Sequence, residues 1–251
     1  KIYDLHEVFE LGFCQHNANF IKDMIKKYGE DFLLKIGLIN KTDKGELKIF
    51  FEDHITIPMY DYDGDIIAFQ GRKIGNVPQN VPKYISMRNN EYYQLKDVMY
   101  NFHRARQEIT GKGSVIITEG VFDLISLYLL GYKNVVSILS AQAILEKTKI
   151  LNNFINTFYL VLDNDDAGES ASYRFALQKA NKNVIYIYPI AFIHKDCKDI
   201  NEALMQKNDN IKIEENSVLI THFFYQKAQM AQELPEKTKY ITRYQNILKK
   251  I

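Results

Sequence analysis

The chain has 251 residues, of which 46% are hydrophobic and 25% charged, and its formal net charge is +1 at pH 7. These values are ordinary for a globular protein and give no overall basic signal for nucleic acid. No apolar run is long enough to cross a bilayer, so no membrane partner is expected. Two cysteines, Cys14 and Cys197, cannot form a disulfide framework and predict free thiols in a reducing cytoplasm.

The first hundred residues predict a region of mixed helices and strands. In chain order the predicted elements are a helix over 17–36, strands over 55–60 and 66–71, a loop over 78–90 and a helix over 91–109. Gly37 supplies a stop for the first helix, and the acidic, glycine-containing stretch 61–65 predicts the turn between the two strands.

A positive excess runs from Arg72 to Lys112. Eight basic residues and three acidic ones give this stretch a net charge of about +5, and tyrosines are interleaved with it. Two interpretations stay open from this pattern. One is an ordinary solvated surface, and the other is a groove that holds a phosphate backbone and offers rings for base stacking.

From Ser114 onward, apolar strands alternate with helices. The predicted strands are 114–118, 134–139, 157–162 and 184–190, and the predicted helices are 121–130, 141–152 and 167–180. This alternation is typical of a parallel sheet with right-handed crossovers, covered on both faces. After about residue 200 the pattern predicts helices alone, with Leu234-Pro235 between two of them.

Carboxylates follow the ends of these predicted strands. Glu119 and Asp123 stand where the first strand becomes a helix. Asp163 and Asp165 are two residues apart, so their side chains leave an extended chain on one side, roughly 7 Å apart. Asp199 follows the fourth strand. In a parallel sheet all five lie at the edge where open α/β sheets bind ligands.

Each acid also has a purely structural interpretation. Asp123 suits the first turn of a helix because of the helix dipole, and Asp163 to Asp165 can form a turn. Asp166 and Asp199 can each cap a helix. Together, however, like charges about 4 Å apart cost on the order of 4 kcal/mol at an effective dielectric constant of about 20. The group therefore predicts a divalent cation, and oxygen ligands favour Mg²⁺ or Mn²⁺ over Zn²⁺ in a site suited to transfer at phosphorus.

The motifs ITEGVFD, LDNDDAG and KDINEAL, over residues 118 to about 205, resemble the TOPRIM domain shared by primases, topoisomerases and some nucleases. Upstream, FELGFC, HITIPMYDYDGDIIAFQGR and VPKYISM resemble the N-terminal half of the RNA polymerase core of bacterial DnaG-type primases. The resemblance implies an α/β chain in three parts. These are a basic α+β subdomain (1–112), a TOPRIM domain with a Rossmann-like parallel sheet (113–200) and a C-terminal helical subdomain (201–251).

The resemblance also assigns roles to the acids. Glu119, Asp163 and Asp165 would be catalytic and would hold the metal, with Glu119 as the candidate general base. Asp199 and Asn201 would be further metal ligands, although Asn201 stands where many primases have Asp and brings no charge. Three supporting positions are expected at Gly120, Asp123 and Gly168. The implied nucleic-acid and nucleotide contacts are Arg72, Lys73, Asn76, Lys83, Tyr84 and Arg88.

The implied function is metal-dependent synthesis of short RNA primers from ribonucleoside triphosphates on single-stranded DNA during DNA replication. The implied cofactor is Mg²⁺ or Mn²⁺. No zinc is expected in this chain, because the Cys14-Gln15-His16 stretch cannot supply the four ligands of a zinc module. The chain starts at Lys1 rather than Met, so we expect a piece of a longer protein whose other regions bind the replicative helicase.

Alternative functions stay open at this point. The first is a Mg²⁺-dependent TOPRIM nuclease. The second is a catalytically weak nucleic-acid-binding module of the replisome, which Asn201 and the missing zinc module would suit. A topoisomerase with a tyrosine nucleophile ranks last, because the sequence contains no recognisable second domain to act as a nucleic-acid gate.

Overall fold

The computed structural model describes residues 3–15, 17–75, 77–78, 80–153, 155–194, 196–206 and 211–251. The chain divides into two compact units, Lys1–Val98 and Met99–Ile251. Both units combine helices with sheets, and the second contains a parallel sheet, so the predicted α/β class is confirmed. The division into three parts at residues 112 and 200 stays a prediction.

The described part of the first unit is built on a four-stranded antiparallel sheet with the strand order β1-β4-β5-β6 and a separate hairpin, β2-β3. Its helices are Tyr3–Val8 (α1), Ala18–Tyr28 (α2) and Glu30–Lys35 (α3). Its strands are Gly12–Cys14 (β1), Ile39–Lys41 (β2), Leu47–Ile49 (β3), His54–Tyr60 (β4), Ile66–Lys73 (β5) and Tyr84–Ser86 (β6), and a 3-10 turn spans Leu95–Asp97.

The hairpin of β4 and β5 confirms the turn that the acidic stretch predicted. Asp61 Oδ1 accepts hydrogen bonds from the backbone N–H groups of Asp63, Gly64 and Asp65, at 3.0, 2.9 and 2.9 Å. An aspartate that satisfies the amides of its own turn stabilises the reversal locally. Strand β5, which follows this turn, and its neighbour β6 contain three of the predicted nucleic-acid residues, Arg72, Lys73 and Tyr84.

Two helix predictions, over 17–36 and 91–109, are wrong in their extent. The helix over 17–36 is interrupted at Gly29, whose φ of 82° ends α2. The helix over 91–109 begins only at Phe102, because Asn90 Oδ1 accepts from the backbone N–H groups of Tyr92 and Tyr93 at 2.8 and 3.1 Å. Such side-chain bonds to the backbone compete with helix formation. The predicted loop over 78–90 contains β6, which pairs with β5.

The described part of the second unit is built on a five-stranded sheet with the order β11-β10-β9-β7-β8. Its strands are Ser114–Thr118 (β7), Val135–Ser137 (β8), Thr157–Val161 (β9), Val184–Ile187 (β10) and Val218–Leu219 (β11). Its helices are Phe102–Lys112 (α4), Val121–Leu129 (α5), Ile144–Lys147 (α6), Asp166–Lys179 (α7), Ile190–Ile193 (α8), Ile200–Met205 (α9), Ile213–Asn216 (α10), Ile220–Met230 (α11) and Leu234–Leu248 (α12).

Strands β7 to β10 run parallel, as the alternating pattern predicted. Two expectations are wrong. The region after residue 200 is not purely helical, because β11 pairs antiparallel with β10 at the edge of the sheet. Residues 141–152 do not form one helix, since α6 lies between the 3-10 turns Ala141–Ala143 and Thr148–Asn153.

The core of the second unit joins the sheet to α7 and to the helix pair α11 and α12. The rings of Phe158 and Phe175 meet edge to face at 5.0 Å, and Phe224 and Tyr240 are buried beside them. Pro235 lies in the first turn of α12, where its missing N–H leaves no helical bond unmade. Among the residues described, no helix has the length and apolarity needed to cross a membrane.

Candidate functional site

The parallel sheet brings the predicted acids together at the carboxyl ends of its strands. Glu119 follows β7 directly, Asp163 lies just after β9, and Asp199 lies beyond β10 and α8. One carboxylate oxygen from each of Asp123, Asp163 and Asp199 lies within 4.8 Å of the other two. We call Glu119, Asp123, Asp163, Asp165 and Asp199 together the acidic edge.

Two glycines allow this close approach, although their supporting role in function stays a prediction. A Cβ atom on Gly120 would lie 2.7 Å from Asp123 Oδ2, and one on Gly168 would lie 2.2 Å from the carbonyl oxygen of Asp163. Real Cβ atoms do not approach other heavy atoms so closely, so any larger residue would displace an acid or its backbone. The turns around both acids therefore depend on the absence of a side chain.

Two acids of the acidic edge, Asp165 and Asp199, also cap the N-termini of helices. Asp165 Oδ1 accepts from the backbone N–H groups of Ala167 and Gly168, both at 3.0 Å, and so caps α7. Asp166, considered as that cap, is instead the first residue of the helix. Asp199 Oδ1 accepts from Glu202 N at 2.7 Å and caps α9. Each cap uses one oxygen of its carboxylate and fixes the direction of the side chain.

The electrostatics of the acidic edge disfavour negative charge. Burial and then Asp163 raise the pKa of Glu119 to about 6, and burial and then Asp199 raise the pKa of Asp123 to about 7. Burial also raises the pKa of Asp163. Within the described residues Glu119 Oε2 is buried and has no hydrogen-bond partner. Carboxylates that repel one another, one of them with a buried oxygen that lacks a donor, fit a divalent cation.

Lys198 is the residue of this site that the sequence analysis missed. Its Nζ lies 2.9 Å from Asp163 Oδ2 and 3.5 Å from Asp165 Oδ2. Its hydrogen bond to Asp163 raises the pKa of the Lys198 ammonium. The sequence shows only that Lys198 directly precedes Asp199. The acids that Lys198 contacts lie more than thirty positions earlier in the chain.

Asn201 lies beside the acidic edge. Its backbone N–H donates to Asp123 Oδ1 at 3.1 Å, which helps to fix that carboxylate. Its side-chain Oδ1 accepts from Ser126 Oγ at 3.3 Å. The role of Asn201 as a metal ligand stays a prediction.

A cavity of about 450 Å³ adjoins the acidic edge. Its walls include Asp163, Asp165, Glu169, Lys227 and Tyr240, together with apolar side chains of β9 and β10. This volume lies within the usual range for small-molecule pockets. The cavity therefore offers space for a small molecule next to the acids.

The first unit contains the predicted nucleic-acid residues. Arg72 and Tyr84 are paired across β5 and β6, and the guanidinium donates to the Tyr84 hydroxyl and stacks 5.2 Å from its ring centre. Lys83 precedes Tyr84 and is exposed. Lys73 is also exposed, but it follows Arg72 in β5, so its side chain leaves the strand on the opposite face.

The other two residues predicted to contact nucleic acid are Arg88 and Asn76. Arg88 is exposed and lies two residues beyond the end of β6. Asn76 lies outside the described residues. The structure thus pairs Arg72 with Tyr84 across β5 and β6, and it places Lys83 opposite Lys73, whose backbone N–H donates to the Lys83 carbonyl at 3.0 Å. By strand alternation these two pairs lie on opposite faces, and the nucleic-acid role of all six residues stays a prediction.

Two family models match the chain. One, described as DNA primase catalytic core, N-terminal domain, matches residues 3–106. The other, described as Toprim-like, matches residues 116–204 and so includes the whole acidic edge.

The DNA primase of Rickettsia typhi is 33% identical over 167 residues, which cover 66% of this chain and 28% of the relative. The chain spans about 30% of the length of the curated relatives that head the comparison. The Aquifex aeolicus primase (zinc-binding and RNA polymerase domains) has the same fold, with a TM-score of 0.74 at 23% identity over 97% of this chain and 59% of that one. A DnaG primase catalytic domain bound to ssDNA gives 0.72 at 19% identity, over 99% and 82%.

A primase-type N-terminal half followed by a TOPRIM sheet with an acidic edge defines a class, the catalytic cores of TOPRIM-containing primases. The chain belongs to the family of bacterial DnaG-type DNA primases, as the sequence resemblance predicted.

Proposed function

We propose that the chain is a primer-synthesising core. It would join ribonucleoside triphosphates into short RNA on a single-stranded DNA template during DNA replication, with release of pyrophosphate. The observation that carries the proposal is the convergence of Asp123, Asp163 and Asp199 within 4.8 Å, in a chain whose first half matches the primase core. The nuclease and the purely binding module have no comparable support from the first half.

Mg²⁺ or Mn²⁺ would be held by Glu119, Asp163, Asp165 and Asp199, with Asn201 as a further proposed ligand. The unpartnered Glu119 Oε2 and the mutual repulsion of the carboxylates support this set. When bound, the ion supplies positive charge that binds the nucleotide phosphates and stabilises the charge that develops during their transfer.

The chain's own side chains would accept the proton of the attacking hydroxyl and position the carboxylates. Glu119 would accept the proton of the primer 3′-hydroxyl, in the general-base role that the family resemblance implies. Asp123, fixed by the Asn201 amide, would position the neighbouring carboxylates rather than contact the substrate. The cavity beside Asp163 and Asp165 would give a small molecule such as the nucleotide space to bind next to these acids.

The DNA template would lie against the basic residues of the first unit. Arg72, Lys73, Lys83 and Arg88 would contact its phosphates, and the ring of Tyr84 would contact a base or sugar. Asn76 remains a proposed neighbour of this group. Since the similar DnaG catalytic domain is bound to ssDNA, single-stranded DNA is the proposed template here. Phosphate contacts make affinity depend on salt, with a slope of about −0.7 per contact for single strands.

The experiment is de novo synthesis on a single-stranded template with labelled ribonucleotides and Mg²⁺ or Mn²⁺, comparing the wild type with Glu119→Gln. We expect short RNA from the wild type and a loss of about 100-fold or more in the variant, because a charged ligand is replaced by a neutral one. Equal activity of the two proteins would overturn the assignment. Shortening of the DNA without added nucleotides would favour a nuclease instead.

The remaining partners belong to the same proposal. The RNA primer is the product, and a replicative helicase would bind through regions of the longer protein outside this chain. The location would be the cytoplasm, where bacterial DNA and ribonucleotides meet.

A further inference from the structure

Lys198 reaches the acidic edge from solvent. Its Nζ lies 2.9 Å from Asp163 and 3.5 Å from Asp165, yet its side chain is 56% exposed. Asp163, in contrast, is 17% exposed. The lysine therefore contacts the oxygens that would hold a divalent cation, while most of its own length stays in water.

The backbone of Lys198 is fixed although its side chain is exposed. Its N–H donates to Glu202 Oε2 at 2.7 Å, and its carbonyl oxygen accepts from Asn164 N at 2.8 Å. The second bond ties the loop before α9 to the turn after β9. The ammonium can therefore move on its four-carbon stem without any change in the loops that hold the acids.

A purely structural ion pair is a poor explanation for this contact. Pairs with an exposed partner contribute about 0 to 1 kcal/mol to stability. The two acids already have structural support, because Asp165 caps α7 and the Asn164 amide that lies between them is bonded to the Lys198 carbonyl. The fold thus does not depend on the ammonium, which is free to exchange with other cations.

We propose that Lys198 is an exchangeable counter-cation of the acidic edge. It neutralises Asp163 and Asp165 before a divalent cation binds, and when the cation enters, the displaced ammonium binds the phosphates of the nucleotide. Lysine suits both positions, since it is a compact charge with three donors that pairs equally well with carboxylate and phosphate. This inference rests on the proposed function and names Lys198 as a nucleotide-binding residue of the same site.

The proposal predicts opposite changes in two binding constants when the charge of Lys198 is removed. In Lys198→Gln, the dissociation constant for Mn²⁺ without nucleotide should fall about threefold to fivefold, because the competing ammonium is gone. The dissociation constant for ATP with saturating Mg²⁺ should rise about tenfold, because one charged phosphate contact is lost. Lys198→Arg keeps the charge and should bind Mn²⁺ like the wild type.

The measurement is a titration of the full chain with Mn²⁺, followed by paramagnetic resonance, and a second titration with ATP in Mg²⁺, followed by calorimetry. Lys182→Gln is the matched control, because this exposed lysine precedes β10 and so lies at the opposite end of the strand from the acids. It should leave both constants unchanged.

The outcomes distinguish a failure of the proposed metal site from a failure of the Lys198 exchange alone. If wild type and Lys182→Gln bind no Mn²⁺, the proposed function fails and the inference fails with it. If both bind Mn²⁺ and Lys198→Gln changes neither constant, or weakens both together, the exchange is wrong while the metal site stands. Tighter Mn²⁺ binding together with weaker ATP binding supports the exchange.

Discussion

The segment from the end of β9 into α7 contributes acids to two charged clusters. One cluster has more carboxylates than cations, and the other has more cations than carboxylates. At the acidic edge, Asp163 and Asp165 share one lysine, Lys198, and face further acids. At the other cluster, Glu169 is surrounded by donors from α11 and α12. These are Lys227 Nζ at 3.1 Å, Lys239 Nζ at 3.2 Å, the Tyr240 hydroxyl at 3.0 Å and the guanidinium of Arg243.

Burial alone does not explain how the two clusters differ. The side chains of Glu169 and Asp163 are 10% and 17% exposed. Burial raises the pKa of both carboxyls, but the cations around Glu169, first among them Lys227, hold its pKa below the ordinary value, whereas the pKa of Asp163 stays raised. The chain supplies enough cations for Glu169 and too few for the acidic edge. We infer that the first cluster stabilises the fold and that the second is built to take a cation from solution.

The largest expected effect on stability comes from breaking the complete cluster. Glu169→Ala should lower the free energy of unfolding by about 3 to 5 kcal/mol, because it leaves cations close together without their carboxylate. Urea denaturation measures this loss. Glu146→Ala is the control, since Glu146 pairs with Lys149 on the surface and should cost less than about 0.5 kcal/mol. Equal losses in the two variants would contradict the structural role of Glu169.

Next in size is the turn that the two clusters share. Gly168→Ala should cost about 2 to 3 kcal/mol, because its Cβ would lie 2.2 Å from the Asp163 carbonyl oxygen. Gly111→Ala in α4 meets no atom within 4 Å and should instead gain about 0.5 to 1 kcal/mol. Thermal unfolding of both variants tests this pair, and a stable Gly168→Ala protein would show that the turn can relax.

The smallest effect is a difference in pH dependence. Asp123 and Glu119 have raised pKa values in the folded state, so the fold binds protons that the unfolded chain releases. Without divalent cations, stability should therefore fall as pH rises from about 4 to about 7. Glu169 acts in the opposite sense, because its pKa is lowered and its contribution is lost as pH falls below its ordinary range.

Asp123→Asn isolates this effect. The decrease in unfolding free energy between pH 5 and pH 8 should shrink by about 2 kcal/mol relative to the wild type, measured by urea denaturation in a chelator. Using the change between two pH values removes any pH-independent cost of the substitution. The same decrease in both proteins would contradict the raised pKa of Asp123.

The acidic edge was predictable because its signal is local. Each acid follows an apolar strand directly or within a short segment, and the alternation of strands and helices predicts a parallel sheet. In such a sheet these strand ends meet at one edge, which brings Glu119, Asp163, Asp165 and Asp199 together. The partners of Lys198 and Glu169 were not predictable in this way. Lys198 meets its acids through the packing of two loops, and Glu169 meets Arg243 across more than seventy positions of the chain. No local spacing encodes such pairs.

The errors in the fold have similar causes. The helix over 91–109 failed because Asn90 binds the backbone of its own loop, an alternative that apolar periodicity does not reveal. Strand β11 was missed because two residues are too few for a period-two pattern. The parallel strands, which are longer and mostly apolar, were predicted within three residues of their observed ends.

The claim that the acidic edge takes a cation from solution is tested most directly by Mn²⁺ binding to the wild type and Asp163→Asn. Glu146→Gln serves as a control that removes one surface charge. The account predicts saturable binding to the wild type and to the control, and a dissociation constant at least about tenfold higher for Asp163→Asn, equivalent to about 1.4 kcal/mol. Binding of equal strength by all three proteins, or no binding by the wild type, would contradict it.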